Sequence, residues 1–225
     1  MIPIKDRTLR PRRTFPFVNI TIILVNILIF YFEWSLSHNQ LEELILTFGF
    51  VPRAFFGSQG FSLERLMPLI SSMYLHGGWL HLGSNMLSLW IFGDNVEDRL
   101  GHITYFFFYT LAGVAAVLTQ GWLETSSPVP VVGASGAIAG VMGAYLLLFP
   151  RARVVTIIPI FFFVLLREVS ALFFIVFWFI LQLFNGVMAL DPMMAEAGIA
   201  WWAHIGGFIV GLLFGIPFSG SDERP

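Results

Sequence analysis

Six stretches of this chain are too long and too apolar to be held in water: Phe17 to Leu36, Gly78 to Phe92, Ile103 to Leu123, Ser135 to Phe149, Val169 to Val187 and Ile199 to Phe218. A helix crosses a bilayer with about 20 mostly apolar residues, and with fewer where protein lines part of its path. Composition agrees. Over 225 residues, 57% are hydrophobic and only 12% charged, about half the charge of a soluble domain. Strand-like alternation is missing from these stretches, which argues against a β-barrel. The expected class is an all-α membrane protein with six transmembrane helices. The chain has no Cys, which excludes thiol nucleophiles and thiolate metal sites. A net charge of -2 leaves no footprint for nucleic acid.

Lys and Arg set the direction of the spans. Lys5, Arg7, Arg10, Arg12 and Arg13 precede the first. With that end cytoplasmic, Arg99, Arg151, Arg153, Arg167 and Arg224 fall on the same side, and only Arg53 and Arg65 on the other. Such a bias predicts both termini in the cytoplasm, and the second, fourth and sixth helices entering from outside. The expected organisation is a basic tail over 1–16, a membrane domain over 17–218 and a second tail over 219–225. A prokaryotic inner membrane suits so lean a layout. The first stretch lacks a small-residue cleavage site and is read as a retained span.

Two connections stand out. Residues 37–77 form a long outer loop with Phe48, Phe50, Phe55, Phe56, Phe61, Leu66 and Met67, and are expected at the interface. Residues 151–168 carry an apolar run, Val154 to Leu166, between arginines. Its length and Pro159 predict an interfacial or re-entrant segment rather than a span.

Polar groups inside spans are functional candidates, because each costs a few kcal/mol there. The second stretch holds His81 and Asn85, one helical turn apart on one face. The fourth opens with Ser135 within Gly133-Ala134-Ser135-Gly136, and the last carries His204 one turn in. All three helices enter from the same side, so these residues share a depth. Lateral convergence does not follow from depth alone. Gly136, Gly140 and Gly143 line one helix and Gly207, Gly211 and Gly215 another. If these small faces meet, His204 comes within reach of Ser135.

These residues together resemble the rhomboid intramembrane serine proteases. The resemblance rests on GASGA around Ser135, AHIGG around His204, His81-x-x-x-Asn85, and the run from His76 to Gly101, and it covers about Met67 to Gly215. It implies a six-helix rhomboid-like bundle without cofactor or metal. It also implies Ser135 as nucleophile, His204 as general base, and an oxyanion hole of His81, Asn85 and the Ser135 backbone N–H. Gly133 and Gly136 would let a substrate backbone approach. The Phe-rich fifth helix would be a lateral gate, with residues 188–198 as a cap. The substrates implied are transmembrane segments of other membrane proteins, cut near their outer ends. In well-known relatives a Tyr four residues after the serine stacks on the histidine. Here that position is Ala139, which leaves Trp201 and Trp202 as candidate rings.

Other polar residues have plainer readings. Asn19, Asn26 and Glu33, seven apart, form a stripe that bonds to neighbouring helices. Asp94, Glu97, Asp98 and Arg99 read as a solvated turn, with Glu97 structural. Arg167 and Glu168 read as an interfacial pair, and His76 as an interfacial residue. Two rival functions compete with proteolysis: an inactive relative that binds membrane clients, and a small transporter. The retained serine and histidine weigh against the first. The absence of paired halves with broken helices weighs against the second.

Overall fold

The apolar stretches fold as helices, and the segments between them are far from featureless. In the computed structural model, residues 1–8, 13–57, 62–160, 163–190 and 198–220 are described. The chain runs from strand β1 (Ile2–Arg7) into α1 (Phe17–Ser35). Four short helices follow: α2 (His38–Phe48), α3 (Pro52–Gly57), α4 (Leu63–Leu66) and α5 (Pro68–Ser71), then a 3-10 turn at Ser72–Tyr74. Next come α6 (Trp79–Ser88), a π-turn at Leu89–Gly93, and α7 (Asp94–Leu100). Then come α8 (His102–Leu123), α9 (Ser135–Leu148), strands β2 (Arg153–Ile160) and β3 (Phe163–Ser170), α10 (Ala171–Met188) and α11 (Trp201–Gly215), which ends in a 3-10 turn.

Four of the described helical segments are long and apolar enough to cross a membrane: Phe17–Ser35, His102–Leu123, Ala171–Met188 and Trp201–Phe218. Their outward residues are Leu28, Tyr31, Ile103, Phe107, Phe184 and Leu213, all well exposed and apolar. So broad an apolar surface is stable only in lipid or against a partner. The fourth stretch, α9, is shorter. Its 14 residues rise about 21 Å against a hydrocarbon core of about 30 Å.

The core is a three-helix contact in which α9 is wrapped by α8 and α11. From Gly136 to Tyr145 every residue of α9 is buried. A Cβ on Gly207 would collide with the Gly136 carbonyl, one on Gly211 with the Gly140 carbonyl, and one on Gly143 with the Phe208 carbonyl. The two glycine faces therefore meet backbone to backbone. On the other side of α9, the methyls of Ala112 and Ala116 from α8 fill the space beside Gly140 and Gly136. By contrast, α10 buries only Ala171, Phe174, Ile175, Gln182 and Gly186.

The segment over 151–168 corrects the expectation of an all-α chain. It is a β-hairpin, β2 pairing antiparallel with β3, and β1 adds to the free side of β2. The physical reason is the run Val154-Val155-Thr156-Ile157-Ile158. Five consecutive β-branched residues favour a strand, and Val154 and Thr156 alternate into the bundle. The sheet is held by Asp6, whose carboxylate accepts from Tyr145 Oη and Asn95 Nδ2, both at 2.8 Å. Glu168 pairs at 2.7 Å with Arg7 of β1, whereas the sequence suggested its neighbour Arg167.

Glu97 also differs from its reading as part of a solvated turn. It is completely buried. Helix α1 follows Pro16 and has no side-chain cap of its own, so its first N–H groups need acceptors from elsewhere. Glu97 supplies them. It accepts from the N–H groups of Val18 (3.0 Å) and Asn19 (2.7 Å), and lies 2.6 Å from His102 Nδ1. The polar stripe on α1 is buried as expected. Asn19 donates to the Leu89 carbonyl freed by the π-turn and accepts from Tyr105 Oη. Glu33 accepts the His76 N–H at 3.3 Å, while Asn26 bonds within its own helix. Replacing Glu97 by Ala strands two buried donors and is expected to cost about 3 kcal/mol. Thermal unfolding in detergent checks this; an unchanged melting temperature would contradict the capping role.

Candidate active site

Ser135 is the first residue of α9, so its N–H has no partner inside the helix and points to the positive end of the helix dipole. The turn before it is fixed by Gly133, which has φ +119° and donates its N–H to the Ser72 carbonyl at 2.8 Å. Only glycine adopts that backbone without strain. His204 sits in the first turn of α11. Its Nε2 lies 2.8 Å from Ser135 Oγ, and its Nδ1 lies 2.8 Å from Gln182 Oε1 on α10. Both members of the pair are half-buried. The sequence left their lateral convergence open. The glycine contact brings them together, because it sets the register of α11 against α9 one turn below His204.

Gln120 of α8 sets the start of α11. Its buried Oε1 accepts the N–H of Trp202 (3.0 Å) and shares that of Ala203 (3.2 Å) with the Ala200 carbonyl (3.1 Å). Around the imidazole, Trp178 lies with its ring 5.9 Å away and Trp201 stands edge-on at 6.2 Å. Trp201 was one of two rings expected there. Trp202 instead packs toward Gly186. Ala139 is buried inside α9.

His81 and Asn85 stand on α6, and both reach the turn before Ser135. A Cβ on Gly133 would lie 2.6 Å from His81 Nε2 and 3.7 Å from Asn85 Nδ2. His81 Nδ1 accepts the Gly77 N–H at 3.3 Å. The proton of a neutral His81 is thereby placed on Nε2, which faces Gly133. The Asn85 Nδ2 is buried, and no group among the described residues accepts from it. A buried amide donor without an acceptor costs about 1–3 kcal/mol, so its retention beside Ser135 fits a group that bonds something transient. His76, expected at the interface, is buried instead and packs edge-on against His81 at 5.1 Å. Burial, and then the neighbouring His81, lower its pKa to about 4, so it is neutral at ordinary pH.

Known proteins resemble this chain in sequence. The Rhomboid domain model matches residues 63–221. That span includes His81, Asn85, Ser135, Gln182 and His204. The chain belongs to the rhomboid family. It is 30% identical over 160 residues to the mitochondrial Rhomboid protein 1 of Saccharomyces cerevisiae, covering 69% of this chain and 43% of that protein. It is 32% identical over 124 residues to Rhomboid protease GluP of Bacillus subtilis, covering 55% and 23%. The human mitochondrial presenilin-associated rhomboid-like protein is 27% identical over 166 residues, covering 71% and 40%. The chain thus spans less than half the length of these relatives.

The rhomboid relatives correct one expectation, that of a prokaryotic inner membrane. Yeast and human mitochondrial members are among the proteins it matches over more than two thirds of its length. The physical reason is simple: the distribution of Lys and Arg orients a chain in a bilayer but does not say which bilayer.

Two residues around this site, Gln120 and Gln182, were not singled out in the sequence for the roles they have here, and neither was Glu97 as the cap of α1. The first two were visible in one sense, as lone amides in otherwise apolar helices. Their partners lie 82 and 22 residues away, so no local pattern pairs them. Residues 191–197 of the expected cap lie outside the described residues. Gln120→Leu leaves the Trp202 N–H without its acceptor and is expected to lower stability by about 1–3 kcal/mol. Equal melting of the variant and the parent chain would remove the cap from this account.

Proposed function

We infer that this rhomboid is an intramembrane serine endopeptidase that cuts transmembrane segments of other membrane proteins near the end of the bilayer at which α9 begins. The six-helix membrane domain over 17–218 includes α6 and α9 as its short spans. The observation that carries the reading is the 2.8 Å contact between Ser135 Oγ and His204 Nε2. A helix start, a glycine turn and an unpaired amide donor surround that contact, and one relative is named a protease.

The chemistry follows from these groups. As Ser135 Oγ attacks a substrate carbonyl carbon, its proton passes to His204 Nε2. The carbonyl oxygen takes the displaced electron pair. Asn85 Nδ2, His81 Nε2 and the Ser135 N–H donate to that oxyanion, with the helix dipole behind them. Collapse of the intermediate breaks the C–N bond, and His204 returns its proton to the leaving amine. Water then repeats the sequence on the acyl-enzyme, with His204 again as base. The shortness of α9 supports a site below the membrane surface that water reaches from one side. Gly133 leaves room for a substrate backbone, which must be locally unwound to expose a peptide bond; Gly136, expected to do the same, is instead packed against Ala116 and Gly207. Substrates with helix-weakening residues near the cut are therefore favoured.

The test is cleavage in liposomes of a tagged single-pass protein whose end on the α9-start side carries small, helix-weakening residues. The parent chain should yield product, and Ser135→Ala and His204→Ala should not. Product from all three would reject the dyad. Asn85→Ala should slow turnover about 100-fold or more while changing binding little; an unchanged rate would remove Asn85 from the oxyanion hole. Turnover should also fall in acid as His204 is protonated, and a rate that holds unchanged down to about pH 3 in folded protein would contradict a titrating base.

A further inference from the structure

Gln182 is the only strongly polar buried side chain of α10, a helix that otherwise buries small and apolar groups. Its amide is held at both ends. Nε2 donates to the Trp178 carbonyl one turn earlier at 3.1 Å, and Oε1 faces His204 Nδ1 at 2.8 Å. The two bonds decide each other. A carbonyl oxygen accepts only, so the amide nitrogen must face Trp178 and the amide oxygen must face the ring. The His204 nitrogen opposite that oxygen must carry a proton. A neutral imidazole has one proton, so Nε2 is left with its lone pair toward Ser135 Oγ. This is the tautomer that a general base needs.

We propose that Gln182 is a positioning residue that locks His204 in the Nδ1–H tautomer, filling the orienting role for which the described residues offer neither a carboxylate nor, at Ala139, a ring. Among the described residues no carboxylate bonds to His204. The groups facing it are Ser135 from α9, the Gln182 amide and Trp178 ring from α10, Trp201 from its own helix, and His81 from α6, which acts on it through charge. The proposal rests on the dyad reading above and adds a dependence to it. The base is oriented by α10, a helix that buries little of itself against the bundle, so the reactivity of Ser135 follows the seating of that helix.

The two readings separate in an experiment that needs no natural substrate. A fluorophosphonate probe reacts with the purified full chain, and the rate of Ser135 labelling is followed from about pH 3 to 9. Without the amide oxygen, the ring can take the other tautomer and donate to Ser135 instead of accepting. Gln182→Leu should therefore label about 10- to 100-fold more slowly across the range. Gln182→Glu restores an acceptor and adds a negative charge beside the ring. It should label faster than the Leu variant, and its acid limb should move up by about one pH unit. A merely structural residue would not move that limb. Melting curves show whether each variant folds. If the Leu variant does not, the acid limb of the Glu variant decides alone: a limb moved upward supports the proposal, and one at its original position overturns it. Parent-rate labelling of the Leu variant with the parent pH profile likewise overturns the role of Gln182 and leaves the protease reading standing. Labelling of the parent chain that survives Ser135→Ala overturns both.

Discussion

Helices α9 and α11 approach more closely than any pair of side chains bearing a Cβ would allow at Gly207, Gly211 and Gly143, where one helix's Cα lies against the other's carbonyl. In lipid no hydrophobic force drives helices together, so association depends on close packing of this kind. The contact also fixes position along the helix axes. Gly207 must face the Gly136 carbonyl, and His204, three residues earlier on the same face, is then carried to Ser135 one residue before Gly136. The catalytic distance is a by-product of the packing register. A bulkier residue at any of these glycines would shift the register before it touched the chemistry.

A second constraint runs through the whole molecule. Backbone groups at helix ends find no water inside a bilayer and must be satisfied by protein. This chain meets the demand from a distance. Glu97 caps α1, Gln120 caps α11, Asn19 takes up the carbonyl left by the π-turn, and the Asp6 carboxylate ties the sheet to α7 and α9. Each bond joins parts of the chain far apart in sequence, so each also holds the bundle's arrangement. Not every buried polar group is met in this way. Asn85 Nδ2 is buried without an acceptor beside the turn that precedes Ser135, where a developing negative charge would find it.

Much of this was legible in the residues. Four of the spans followed from length and apolarity, and the small faces of α9 and α11 from glycine spacing. What was not legible depends on closure of the fold. The run from Val154 to Ile158 is as apolar as a membrane segment, and only its β-branching marks it as a strand. Glu97 looks like one of several acids in a charged turn until α1, lacking a cap after Pro16, is brought over it. Gln182 and Gln120 read as isolated amides because their partners are set by the packing of α10 and α8 against α11.

The central claim is that packing has assembled a nucleophile, a base and a pair of oxyanion donors at the start of α9. An experimental structure of the chain after reaction with a fluorophosphonate tests this most directly. The phosphorus should be bonded to Ser135 Oγ. Its oxygen should lie within hydrogen-bond distance of Asn85 Nδ2 and His81 Nε2, with His204 still seated on Gln182. An adduct on another residue, or a phosphonyl oxygen turned away from Asn85 and His81, would contradict the account.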